Sequence, residues 1–125
     1  MTKIAVVTGA AGGLGRAITS GLMTDGMHVI GMDLDEAGLS EMAQPGFEGV
    51  AIDLTDPAAI ATAFEDITAR HGGVDALVNN AGTCFMSDFP DIPAAELDRQ
   101  MAVNFSSAFH CCQNAVKAMQ GRPGV

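Results

Sequence analysis

Four short apolar runs, each followed by a stretch with helical spacing, constrain this chain more than any other feature. They are Ile4–Val7 (IAVV), His28–Asp33 (HVIGMD), Val50–Leu54 (VAIDL) and Val74–Asn79 (VDALVN). None alternates in and out like a strand with one wet face, so both faces of each must be covered. The intervening segments supply the cover. Leu14, Ile18 and Leu22 share one face of a helix running to Thr24, and a short helix at Glu36–Ala43 ends at Gln44-Pro45-Gly46. Asp56-Pro57 reads as an N-cap followed by proline in the first turn, where its missing N–H costs nothing. The helix it opens carries Ile60, Phe64 and Ile67 at helical spacing. Pro90–Met119 reads as a loop and then one long helix, with Leu97, Met101, Phe105, Ala108, Cys112, Val116 and Met119 as a stripe to cover a sheet face. Strands joined through helices pair in parallel with right-handed crossovers, so an α/β, doubly wound parallel sheet is expected.

Composition narrows the class. A chain of 125 residues that is 48% hydrophobic has enough apolar material for one packed domain, placed at 1–125. Acidic residues outnumber basic ones by 15 to 6, a formal charge of -9, so there is no basic surface to displace counterions from nucleic acid. No apolar run approaches the roughly 18 residues of a membrane span. The opening MTKIAVVTGA lacks the apolar core and cleavage site of a signal peptide. Cys84, Cys111 and Cys112 are odd in number and without paired metal spacing, which fits reduced thiols in a cytoplasmic protein. Neither a nucleic acid nor a membrane is expected as a partner.

The segment TGAAGGLG, residues 8–15, joins the first strand to the first helix. Glycines in that position gain meaning when an aspartate ends the next strand, as Asp33 does eighteen residues after Gly15. Gly9 can make a tight turn, Gly13 lets backbone approach a phosphate, and Gly15 permits close helix–strand packing. Unpaired N–H groups at the helix start favour an anion. A P-loop is excluded because no Gly-Lys-Ser/Thr follows. The Asp33 carboxylate can accept from both ribose hydroxyls of an adenosine, each such bond worth about 1.5–3 kcal/mol. A 2′-phosphate there meets like charge at roughly 4 kcal/mol per pair, and Ala10, Ala11 and Gly12 offer no basic offset. The expected cofactor is NAD rather than NADP. The competing readings are a glycine-rich turn without ligand and a solvated Asp33.

Thr8-Gly9-x-x-x-Gly13-x-Gly15, Asp33, Asp53-Leu54, Asn79-Asn80-Ala81-Gly82 and Asn104 together resemble the short-chain dehydrogenase/reductase family in its common form, over residues 3–120. The resemblance implies a Rossmann-type fold and hydride transfer between NAD(H) and an alcohol or carbonyl. It implies that Gly12, Gly13 and Leu14 line the pyrophosphate and that Asp53 accepts from the adenine amino group, with the Leu54 backbone beside the ring. Asn80, Ala81 and Gly82 belong to the floor of the site, and Asn104 to an auxiliary catalytic role in the proton relay. Two alternatives stay open: Asp53 as a strand-end cap and Asn104 as a structural asparagine.

The same resemblance implies groups that these residues lack. The family uses a tyrosine as acid or base, a lysine four residues later and a serine; an unassisted tyrosine, with a pKa near ~10, is a poor base at neutral pH. This sequence has no tyrosine, and its lysines are Lys3 and Lys117. A sheet of this kind runs 3-2-1-4-5-6, so a truncated order of 3-2-1-4 is expected, ending in the loop Gln120–Val125. The reading is a cofactor-binding half, inactive alone; the alternative is a non-catalytic nucleotide-binding or protein-interaction module. Self-association is expected through the long helix 94–120 and the exposed strand 74–79. Cys84 has no basic neighbour in sequence to promote its thiolate. His110-Cys111-Cys112 diverge by about 100° per residue around a helix and cannot share an ion well. His28 begins a strand, His71 ends a helix, and neither has an evident partner; no metal site is expected.

Overall fold

The structure, a computed structural model, describes residues 2–122, so the last three residues of the expected loop at Gln120–Val125 lie outside the described residues. The elements in order are β1 (Ile4–Thr8), α1 (Gly13–Thr24), β2 (His28–Asp33), α2 (Glu36–Glu41), β3 (Phe47–Ala51), α3 (Pro57–His71) and β4 (Ala76–Val78). A 3-10 turn at Phe89–Asp91 then leads into α4 (Ala94–Met101), a π turn (Ala102–Ser106) and α5 (Ser107–Met119). All pairs are parallel, as expected from the pattern of apolar runs, and the order β3-β2-β1-β4 is the truncated one expected for a doubly wound sheet of this type.

Burial on both faces follows from the strand composition. Val6, Ile30 and Met32 point into a core completed by Ile60, Phe64 and Ile67 of α3 and by Cys111, Ala115 and Ala118 of α5. Ala5, Val7 and Val29 face the other way, against Leu39 of α2 and Ile18, Leu22 and Met23 of α1. The Asp56 carboxylate caps α3 by accepting from the Ala58 and Ala59 N–H groups, and Gly72 ends that helix at a φ of 82°. Leu14 departs from the expected apolar face. It is 68% exposed, while Gly15 and Thr19 are the buried residues of α1.

Two strands are displaced from their apolar runs. β3 pairs over Phe47–Ala51 rather than Val50–Leu54, with Phe47 beside Val29 and Ala51 beside Asp33. Gly46, at a φ of 91°, turns the chain directly into the strand, and the Phe47 ring fills the space over Gly31. Glu48 and Gly49 hide this start because a charged or absent side chain is tolerated at a sheet edge. Ile52 still donates to the Asp33 carbonyl, and beyond it the chain leaves as a loop. β4 is shorter than Val74–Asn79, although Val74 and Asp75 ahead of it are buried.

The long helix differs more instructively. Its buried residues are Ser107, Cys111, Ala115 and Ala118, one position before Ala108, Cys112, Val116 and Met119 of the expected stripe. Small side chains let α5 approach α3 closely, so the bulky ones turn away. Leu97, Met101, Phe105 and Val116 are 51–62% exposed and cover no sheet face.

Candidate functional site

The carboxyl ends of β1, β2 and β3 meet at a cavity of about 250 Å³, lined by Gly9, Asp33, Asp53, Leu54, Ala81 and Gly82 among others. Local backbone geometry explains why its glycines are glycines. Gly9 lies at a φ of 65°, and a Cβ on it would sit 2.9 Å from Ala81 Cα. A Cβ on Gly15 would sit 2.0 Å from the Gly9 carbonyl oxygen, which allows no larger residue. A Cβ on Gly13 would meet no protein atom within 4 Å. Gly13 is therefore not required by packing; its side of the helix is open. Gly12 is the N-cap of α1, no side chain caps the helix, and no acidic residue lies in its first turn. The helix start presents unsatisfied N–H groups with partial positive charge.

Asp33 stands beside that helix start. Its Oδ2 accepts from the Ala11 N–H at 3.0 Å and its Oδ1 from the Asp35 N–H at 2.9 Å. A carboxylate offers about four lone-pair sites, so these two bonds hold the group in place and leave capacity on both oxygens. Asp53 is exposed and its Oδ1 accepts from both the N–H and the hydroxyl of Thr55, at 2.9 and 2.7 Å. The Thr55 hydroxyl, followed by its N–H, holds the Asp53 carboxyl below its ordinary range. Asp53 thus makes the local turn considered as its alternative role and lines the cavity as well.

The floor is tied down by a residue whose role the sequence reading left open. Thr8 Oγ1 accepts from the N–H groups of Asn80 and Ala81, both at 3.0 Å, which fixes the turn after β4 to the end of β1. The Asn80 amide donates to the Gly9 carbonyl at 3.2 Å, so this side chain braces the glycine loop. Asn104 lies in the π turn, a geometry that often marks functional positions in helices. Its Oδ1 accepts from the Thr83 N–H at 2.7 Å, and its Nδ2 donates to the Thr83 carbonyl and to Gln100 Oε1. These bonds tie the π turn to Thr83, just after the floor, and to Gln100 of α4.

Two guanidinium groups reach this region that sequence spacing did not place. Arg16 donates to the carbonyls of Ala11 and Gly38 and to Glu41 Oε2, across the outer side of the glycine loop. Arg99 lines the cavity from α4 and lies 3.6 Å from Glu96.

Outside the cavity, Cys84 and Cys112 are exposed thiols and Cys111 is buried, its thiol pushed up to about 11, chiefly by that burial. His28 and His71, without partners in the sequence reading, are brought together with Glu48 at the opposite end of the sheet. No described helix is long and apolar enough to cross a membrane.

The short chain dehydrogenase family model matches residues 3–125. The chain is 33% identical to the D-threitol dehydrogenase of Mycolicibacterium smegmatis, over 94% of this chain and 47% of that protein. It is 38% identical to the 3-oxoacyl-(acyl-carrier-protein) reductase of Escherichia coli, over 94% of this chain and 49% of the reductase. A solved short-chain dehydrogenase from Streptomyces avermitilis superposes with a TM-score of 0.91 at 29% identity, covering 99% of this chain and 47% of the other. The chain spans about half the length of the curated relatives it matches. A match over nearly the whole sequence, joined to so close a backbone superposition, has one meaning: the chain belongs to the short-chain dehydrogenase family.

Proposed function

We propose that these 125 residues form the NAD-binding portion of an oxidoreductase that moves hydride between NAD(H) and an alcohol or carbonyl. The family works with nicotinamide dinucleotides, which supply the hydride when bound. The observation that carries the reading is the meeting of an uncapped helix start, open beside Gly13, with a held but unsaturated carboxylate at Asp33. Main-chain N–H groups of Gly13 and Leu14, next to Gly12, suit a diphosphate; Asp33 suits a ribose diol. Asp53 and Leu54 border the space for an adenine, and Ala81 and Gly82 its floor.

The preference for NAD over NADP rests on charge. A 2′-phosphate beside Asp33 meets repulsion of roughly 4 kcal/mol per charge pair. Arg16 is occupied by two carbonyls and Glu41, so it offers little relief. Titration of NADH and NADPH by cofactor fluorescence tests this reading. NADH binding at least a hundredfold tighter is the expected result, and equal affinities overturn it.

Hydride transfer at neutral pH needs a proton donor or acceptor at the substrate oxygen, and these residues include no tyrosine. Asn104 acts as a positioning residue through Thr83. The 125-residue polypeptide therefore binds cofactor without turning over an alcohol, and alcohol-dependent reduction of NAD by it would contradict this. A non-catalytic binding or interaction module is the second reading, favoured by the exposed stripe Leu97, Met101, Phe105 and Val116. Coding DNA beyond Val125 separates the two: a serine followed by Tyr-x-x-x-Lys supports the oxidoreductase. Both readings include self-association through the helical segment 94–119 and the edge strand β4 (Ala76–Val78). Light scattering at micromolar concentration tests it, with a monodisperse monomer as the contrary outcome.

A further inference from the structure

At the amino end of the sheet, opposite the glycine loop, three elements deliver three ligand-type atoms to one point. His28 opens β2, Glu48 is the second residue of β3, and His71 closes α3. Glu48 Oε2 lies 3.1 Å from His71 Nε2 and 3.7 Å from His28 Nε2, and one ligand atom from each residue falls within 4.8 Å of the others. The imidazole rings are 5.0 Å apart.

The hydrogen bonding around these atoms is incomplete. His28 Nε2 is buried and has no partner. His71 Nε2 lies 3.3 Å from Arg70 Nη1 and 3.1 Å from Glu48 Oε2, so it accepts from the guanidinium in one tautomer and donates to the carboxylate in the other. In either tautomer one of these two contacts is left mismatched, donor against donor or lone pair against lone pair. The neutral Nε2–H tautomer of His71 matches Glu48 but leaves His28 Nε2 without a partner. A divalent cation matches all three.

We propose that His28, Glu48 and His71 form a binding site for a divalent first-row transition metal ion, zinc foremost, separate from the dinucleotide site. Tetrahedral zinc with bonds of 2.0–2.1 Å sets its ligands about 3.3 Å apart, between the two Glu48–histidine distances, and the two imidazole nitrogens lie within 4.8 Å of each other. Two imidazoles and one carboxylate are donors of zinc type, whereas magnesium and calcium ask for an all-oxygen set. The side chains are 21–27% exposed, which leaves a side open for water as the fourth ligand. Glu48 Oε1 is held by Arg70, whose Nε is in turn held by Asp66 at 2.9 Å; this orients the carboxylate so that Oε2 faces the histidines. Arg70, ahead of the opposing desolvation, also holds the Glu48 carboxyl below its ordinary range. Two carboxylates against one guanidinium leave a net negative charge to receive the ion. Bound there, zinc ties the edge strand β3 to β2 and to the end of α3.

The test uses the 125-residue chain stripped with chelator, its exposed Cys84 and Cys112 alkylated so that thiols cannot compete. Dialysis against zinc chloride is expected to load one equivalent, and cobalt chloride to give the intense visible absorption of a four-coordinate site. At zinc about a hundredfold above Kd the Tm rises by about 10 °C. Loss of even an outer-shell partner costs 10–100-fold in affinity, so His28→Gln and His71→Gln each weaken zinc at least tenfold and abolish the cobalt bands. His110→Gln leaves both unchanged. Should a variant fail to fold, imidazole NMR signals of the unsubstituted chain decide: zinc must shift those of His28 and His71 and spare His110. No zinc bound at submillimolar concentration, full binding by the His28→Gln/His71→Gln double variant, or a shift confined to His110 would each overturn the proposal.

Discussion

At the carboxyl ends of the strands, the site is made largely of main chain: an uncapped helix start, glycines at Gly9, Gly13 and Gly15, and two carboxylates, Asp33 and Asp53. At their amino ends, the structure rests on side chains brought from afar. Asp75 accepts from the Ile4 N–H and from Arg122, and His28, Glu48 and His71 converge there as well. The first end depends on what cannot be added to the backbone; the second depends on what cannot be removed from a side chain. Substitutions should therefore fail in opposite ways at the two ends.

The largest effect is expected at the amino end. Asp75→Ala leaves the Arg122 guanidinium and the Ile4 N–H without their acceptor in a buried place, at a cost of about 3–5 kcal/mol in urea unfolding. A loss below about 1 kcal/mol would mean that water replaces the carboxylate and that this end is not held by buried polar groups. Next comes the glycine contrast. Gly15→Val forces a Cβ into the Gly9 carbonyl and should cost roughly 3 kcal/mol, whereas Gly13→Ala leaves stability unchanged or raised. The Gly13→Ala chain should still bind NADH at least about tenfold more weakly, through crowding at the open helix start. Equal stability of the two variants would break the claim that one glycine serves packing and the other a ligand.

Asp33→Asn is smaller, about 1.5–3 kcal/mol of NADH affinity, with NADPH affected less because repulsion is relieved. Cofactor fluorescence checks it, and an unchanged preference would detach specificity from this carboxylate. The smallest expected effect is none. Native Cys111, its thiol pushed up to about 11 by burial, stays protonated at pH 8 and should resist iodoacetamide while Cys84 and Cys112 are modified. Labelling of Cys111 grows as pH rises toward 11, read by mass spectrometry.

The two ends also differ in how far they can be read from sequence. Gly9, Gly15 and Asp33 announce themselves because a glycine at a tight turn and an aspartate at a strand end obey local rules over short spans. Ile60, Phe64 and Ile67 were legible for the same reason, since one helix carries its own period. Phe47 was missed as a strand start because Glu48 and Gly49 break the apolar run at an edge. The long helix misled by one residue: hydrophobicity favoured Cys112 and Val116, whereas Cys111 and Ala115 were small enough to face α3. Thr8, Arg16 and Arg99 became site residues only once their partners were in place.

The sequence by itself determined the parallel four-stranded sheet and the glycine loop with its acidic neighbour, because periodicity and turn chemistry act between residues close in the chain. Tertiary structure alone decided which face of the last helix is buried, how Thr8 anchors Asn80, and that His28 and His71 share Glu48. Those outcomes depend on the distance between elements and the size of the side chains that meet there, and neither quantity is written along a single segment.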